Sequence, residues 1–355
     1  MPRSSQNPWL HGFAVLTACA TLGLIALGGL VTSHGVGMAV PDWPTTYGYN
    51  MFLFPISQWV GGIFYEHTHR LMASGVGLLT GVLAVWLWLK ESRRWVRWLG
   101  ASAFFLVVLQ GILGGLRVTL YKDEIGIFHA TLAQMFFTLL CSLALFTSAG
   151  WRRLTKTPIQ LSSRLERGLL VATLLILGQL ILGATMRHQH AGLAVPDFPL
   201  AYGKILPPTD AKSIEAINQH RSDVRDYKPV TAFQIVLHMT HRMVAFSVLL
   251  LVGWLAVVAR RELRAGFGFA RWMYAWVALI VMLALLGAAT VWSNKAADVA
   301  TAHVVLGALN LAFGSLLSIA TLNCARLASK SVIVASEAAG IGSSLSPARS
   351  FVATR

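Results

Sequence analysis

Four histidines, His69, His129, His241 and His303, stand in the first one or two turns of long apolar runs. An ionisable ring at membrane depth is rare and marks function by default. A lone intramembrane histidine is often a packing residue. Four of them at matching places in two copies of a repeat point instead to ligation. Heme iron takes two axial ligands on opposite faces of the macrocycle, and imidazole is a common choice. Facing helices of a bundle supply that geometry. His69 with His129 would grip one heme and His241 with His303 another.

The surrounding residues refine this chemistry. Arg70 and Arg242 each follow a ligand candidate, where a guanidinium either pairs with anionic propionates or snorkels to headgroups. His67 lies two positions from His69, about 200° round the helix, so it stands behind the ligand rather than beside it. Glu66 precedes His69 by one turn on the same face, whereas the matching position before His241 is His238. Equal cofactor sites with a single carboxylate suggest divided labour: one heme for electrons, the other beside acid–base or electrostatic chemistry. The plainer reading is that Glu66 caps its helix or meets Arg70. Gly28, Gly29, Gly114, Gly115, Gly183 and Gly287 would admit a flat macrocycle, or simply allow tight helix packing. His34, His188, His190 and His220 fall in loop segments and read as solvated or locally bonded. Cys19, Cys141 and Cys324 fall inside apolar runs at no metal-site spacing and read as small apolar residues.

The elements that must hold these groups follow from composition. Of 355 residues, 55% are apolar and 12% charged, against about 25% charged in a soluble domain. Apolar runs fall near 11–33, 66–89, 98–119, 126–149, 167–187, 235–259, 272–292 and 300–325. Each is long enough to cross a bilayer, and continuous runs mean helices. The fold class is therefore all-α integral membrane with eight transmembrane helices. The formal charge of +15 does not indicate nucleic acid, because of where it sits. The tails and the loops near 90–98, 150–167 and 260–271 carry 18 Lys/Arg and 4 Asp/Glu, whereas the opposite side carries 9 and 10. This split puts both termini in the cytoplasm and the histidines toward the external side.

The chain repeats. Gly37 to Pro44 reads Gly-Met-Ala-Val-Pro-Asp-Trp-Pro, and Gly192 to Pro199 reads Gly-Leu-Ala-Val-Pro-Asp-Phe-Pro, at an offset of 155. Thr68-His69-Arg70 matches Thr240-His241-Arg242 at an offset of 172, so the second external loop has gained 17 residues. Four helices per copy make the repeat parallel, with a pseudo-two-fold along the membrane normal. The expected units are 1–155 and 156–328, two tandem four-helix bundles, followed by a disordered cytoplasmic tail at 329–355. The insert near 204–230 is expected to be polar, external and partly mobile.

Together, Glu66-His67-Thr68-His69-Arg70, His129, Thr240-His241-Arg242, His303 and the doubled Pro-Asp-aromatic-Pro loops resemble the heme A synthase family over about residues 11–325. The resemblance implies oxidation of the C8 methyl of heme O to a formyl group by successive hydroxylations, for terminal oxidases. It implies that His69 and His129 hold the substrate heme, that His241 and His303 hold a resident heme b, and that Glu66 is the functional carboxylate. Some members carry a cysteine pair in the first external loop; the loop from His34 to Phe64 has none. The expected setting is the cell (inner) membrane, in contact with lipid. The expected partners are heme O and heme A, with heme O synthase, an electron acceptor, terminal oxidase assembly factors or further copies of the chain beside them. Two rivals are a diheme b-type electron-transfer subunit and a heme transporter. The first would usually carry hemes at two depths, and the second would favour broken helices.

Overall fold

The computed structural model describes residues 7–155, 162–221, 229–262 and 269–344. Within them lie ten helices: α1 (Pro8–Ser33), α2 (Gly61–Lys90), α3 (Arg94–Thr119), α4 (Asp123–Thr147), α5 (Ala149–Leu154), α6 (Ser163–His188), α7 (Ala211–Gln219), α8 (Ala232–Glu262), α9 (Phe269–Trp292) and α10 (Ala297–Ser344). All but α5 and α7 are long and apolar enough to cross a membrane. The chain is a multi-pass membrane protein, all-helical, with no strand among the described residues. Asn7 starts α1 by accepting the Leu10 amide at 3.1 Å ahead of Pro8, whose missing N–H needs no partner there.

The apolar runs mark the helices to within a few residues, except where polar groups belong to the bundle. α2 begins at Gly61, so Glu66 and His67 are helical and buried rather than at its edge. α10 continues to Ser344, across ground expected to be a disordered tail. No proline interrupts residues 329–344, and the two glycines, Gly340 and Gly342, fall only near its end, so nothing in the backbone breaks the helix earlier. Residues 345–355 lie outside the described set. The insert in the loop between α6 and α8 contains the amphipathic helix α7, capped by Asp210 accepting the Ser213 amide at 2.9 Å. Residues 222–228 of it lie outside the described set.

Helix neighbours repeat. In the first half α1 packs on α2 and α4, and α3 packs on α2 and α4; in the second α6 packs on α8 and α10, and α9 packs on α8 and α10. The halves meet through α1 with α10, α4 with α6 and α4 with α10. α10 belongs to both cores: Ala308 and Ala312 join Leu83, Leu140 and Leu143, while Leu311 and Leu317 join Leu169, Leu255 and Trp276. Lipid tails are as apolar as leucine, so close packing rather than water exclusion holds such helices together. Small residues supply it. A Cβ at Gly168 would sit 2.4 Å from Leu255, and one at Gly314 would sit 2.5 Å from Trp276.

The two Pro-Asp-aromatic-Pro loops share one design. Asp42 accepts the Thr45 hydroxyl at 2.5 Å and the amides of Tyr47 and Gly48 at 2.7 and 2.8 Å. Asp197 accepts the amides of Tyr202 and Gly203 at 2.7 and 2.8 Å. Tyr47 and Tyr202 donate their hydroxyls to the carbonyls of Ala39 and Ala194. Both loops turn through a positive-φ tyrosine followed by a glycine at φ 78° or 72°, where glycine alone avoids a steric penalty.

Candidate functional site

The four histidines share a local arrangement that the sequence does not disclose. Each faces a glycine of the preceding long helix. A Cβ at Gly28 would lie 2.9 Å from Cε1 of His69. The same distance is 3.3 Å for Gly114 and His129, and 3.2 Å for both Gly183 with His241 and Gly287 with His303. Four of the expected glycines therefore make room for imidazoles rather than for a macrocycle. The other two hold different neighbours: Gly29 receives Thr301 of α10, and Gly115 receives the Trp43 ring.

Backbone carbonyls near three of the rings bear on which nitrogen faces inward. His303 directs Nδ1 at the carbonyl of Leu283, one turn before Gly287, at 3.1 Å. The carbonyls of Leu24 and Gln110, each one turn before its own glycine, lie beside the His69 and His129 rings. Nδ1 of His69, His129 and His241 makes no hydrogen bond of ordinary length. A carbonyl that holds Nδ1–H fixes the tautomer and leaves Nε2 as the ligand nitrogen.

The ring centroids of His241 and His303 are 6.5 Å apart, with planes at 62°. An iron with imidazole nitrogens at about 2 Å on either side would place the two centroids about 6 Å apart. Among the described residues no group of three or more His, Cys, Asp or Glu could hold a metal ion by itself. A pair of histidines needs four further donors in a plane, and a porphyrin supplies them. The residues therefore fit heme.

Comparison with known proteins decides the family. Residues 11–314 match the family model COX15-CtaA, described as cytochrome oxidase assembly protein. The chain belongs to that family. It is 29% identical over 220 residues to a heme A synthase of Shouchella clausii, covering 60% of this chain and 70% of that one. It is 25% identical over 306 residues to a heme A synthase of Geobacillus kaustophilus, covering 83% and 86%. It is 26% identical over 307 residues to one of Bacillus licheniformis, covering 84% and 91%.

Within this COX15-CtaA chain the remaining candidates have defined surroundings. Glu66 is buried; Oε2 accepts the Val40 amide at 2.9 Å and Oε1 meets Arg70 at 2.8 Å. His238, at the matching position, accepts the Val195 amide through Nδ1 at 3.3 Å. Both residues thus tie their helix to the loop at the same point, and what differs between them is charge. Arg70 donates to the carbonyls of Val40, Asp42 and Thr45 as well as to Glu66. Arg242 donates to the carbonyls of Val195, Asp197 and Leu200. Both guanidinium groups therefore clamp the loops that follow α1 and α6 onto α2 and α8. His67 is buried away from His69, its Nδ1 3.1 Å from the Thr46 hydroxyl, against the rings of Phe54 and Trp59.

Two residues escaped the sequence reading. His188 was expected in a solvated loop, yet it ends α6 and is buried, its ring filling the space beside Gly126 of α4. Its neighbour Arg187 donates to the carbonyl of Gly29 at 2.5 Å and to the Ser33 hydroxyl at 2.6 Å, across the seam between the halves. A signal was available: at the repeat offset of 155, Arg187-His188 stands where the first copy has Thr32-Ser33.

Proposed function

We propose that this chain is a heme A synthase, oxidising the C8 methyl of heme O to a formyl group. Membership of the COX15-CtaA family and the heme A synthase relatives support the reaction. The observation that carries the reading is the set of four glycine-backed histidines, arranged as two pairs. In this proposal His69 and His129 hold the substrate heme, and His241 and His303 hold a resident heme b. The resident heme supplies a one-electron relay. The two halves are related by a pseudo-two-fold along the membrane normal, in keeping with the recurring helix neighbours. Both termini face the cytoplasm, in keeping with the basic-residue split; a reporter fused after Arg355 that works only outside the cell would refute this orientation.

The protein's own contribution is placement. Histidines seated against Gly28 and Gly114 hold the substrate ring rigidly, so that one methyl out of several meets the reacting groups. Glu66, one turn before His69, is the candidate carboxylate beside that methyl, able to take a proton or stabilise developing positive charge. The first external loop, locked by Arg70 and Asp42, covers the site and limits water. From methyl to aldehyde the balance is R–CH3 + H2O → R–CHO + 4 H+ + 4 e–, run as two hydroxylations and loss of one water, with the four electrons passing to an electron acceptor outside the chain. The test is expression with a source of heme O, followed by pigment extraction and mass analysis. Heme A appearing with the wild-type chain and not with His69→Ala supports the reading; heme O alone from the wild type overturns it.

A further inference from the structure

The seam between the halves contains a cation with no anion. Arg187 engages Gly29 and Ser33, both neutral acceptors, through Nη2. The ion pairs among the described residues are Arg70–Glu66, Arg93–Glu91 and Arg117–Asp123, so Arg187 has no carboxylate partner. A second guanidinium, Arg117, is close enough for the two charges to repel. Two neighbouring cations with one half-exposed carboxylate between them leave an excess positive charge in a poorly hydrated place, which favours an anion.

Position identifies the anion. Ser33 continues from Arg187 to the Thr301 hydroxyl at 3.3 Å, and Thr301 stands two residues before His303 on α10. Two residues of helix rise about 3 Å, so the guanidinium lies near the depth of that ligand, with Thr301 itself about 200° round α10 from His303 and turned to Gly29 of α1. On α6, Arg187 stands one turn after Gly183, the glycine that backs His241. Meanwhile Arg70 and Arg242, which sequence would nominate for heme carboxylates, hold loop carbonyls.

We propose that Arg187 binds a propionate carboxylate of the heme held by His241 and His303, while its other contact ties that heme's edge to α1. α1 carries Gly28, the backing of His69. The same side chain therefore fixes the second heme relative to the first site. The proposal rests on the heme reading above.

The test uses full-length chain prepared under heme depletion and titrated with hemin or hemin dimethyl ester, which lacks the free carboxylates. The wild type is expected to prefer hemin at the second site by about tenfold or more, the scale of one charge-assisted hydrogen bond. Arg187→Gln is expected to lose that preference, and Arg187→Lys to retain most of it. Ser33→Ala, which removes the tether but not the charge, is expected to keep it. In the heme-loaded protein, Arg187→Gln is expected to lower the midpoint potential of the resident heme, because a cation beside the propionate favours the reduced, less positive state. Equal preference in wild type and Arg187→Gln, with hemin bound normally, would overturn the proposal and leave the heme reading intact. Loss of preference in Ser33→Ala to the same degree would reduce Arg187 to a structural tether. Failure of the wild type to bind hemin at all would remove both.

Discussion

Replacing Gly28 with alanine tests the glycine–histidine contacts most sharply. In an exposed helix interior this change is favourable by about 1 kcal/mol. Here the new methyl would stand 2.9 Å from Cε1 of His69. Carbon atoms rest at about 3.5–4.0 Å, so the ring or the helix must retreat by about 0.6 Å or more. Metal–ligand distances tolerate only about 0.2 Å. The ring therefore cannot satisfy both the methyl and an iron without α1 moving away from α2. The expected outcome is a folded protein that has lost heme at the first site and kept it at the second. Gly114→Ala, at 3.3 Å, is expected to act in the same direction but more mildly. Gly75→Ala, with nothing within 4 Å of its Cβ, is the control and should bind normally. Heme content by pyridine hemochrome and the ligand-field spectrum of the purified chain read the result. Gly28→Ala with full heme at both sites and an unshifted spectrum would refute the spacer role.

Further outcomes follow from the site. Glu66→Gln preserves an acceptor for the Val40 amide and removes the charge, so the loop should stay docked while heme A formation falls by at least about tenfold, or about 1.4 kcal/mol of barrier; near-normal heme A from this variant would leave Glu66 a loop anchor like His238. His241→Ala or His303→Ala should abolish the resident heme spectrum, and unaltered spectra in both would move that site elsewhere. Burial pushes the Asp42 carboxyl up, but the hydrogen bonds from Gly48, Thr45 and Tyr47 outweigh it and hold the group below its usual range. The folded value being lowered, the loop gains stability that is full above the ordinary value near pH 4 and lost as pH falls through the folded one; exchange protection of the Tyr47 and Gly48 amides should decline over that window, and Asp42→Asn should make it independent of pH.

The four recurring histidines stood out in the sequence because membrane helices so rarely carry ionisable groups, and the doubled loop motif fixed the register between copies. Helix ends were legible where apolar runs end at charge, as at Lys90 and Arg94, and less so at Gly61, where a polar helix start is buried by the external loop. What the glycines face was not legible, since that depends on how each helix is rotated about its axis, and no sequence pattern states it. Arg70 and Arg242 read as propionate partners or as groups snorkelling to headgroups, because they follow the candidate ligands at the helix starts; only folding of the loops back over α2 and α8 brings carbonyls within their reach. His188 was assigned to a loop because a conspicuous motif begins just after it, while α6 in fact carries it into the seam.

The splitting of each histidine pair between hairpins has a consequence for synthesis. The first pair is available once α4 has emerged from the ribosome, when more than half of the chain is still to be made. The second pair waits for α10, the last of the described helices, which also joins the cores of both halves and covers Gly29 with Thr301. A nascent chain truncated between α4 and α10 would therefore own one receptive pocket with an unfinished wall. On this arrangement the order of translation sets the order in which hemes can be accepted, and the final helix closes the account for both.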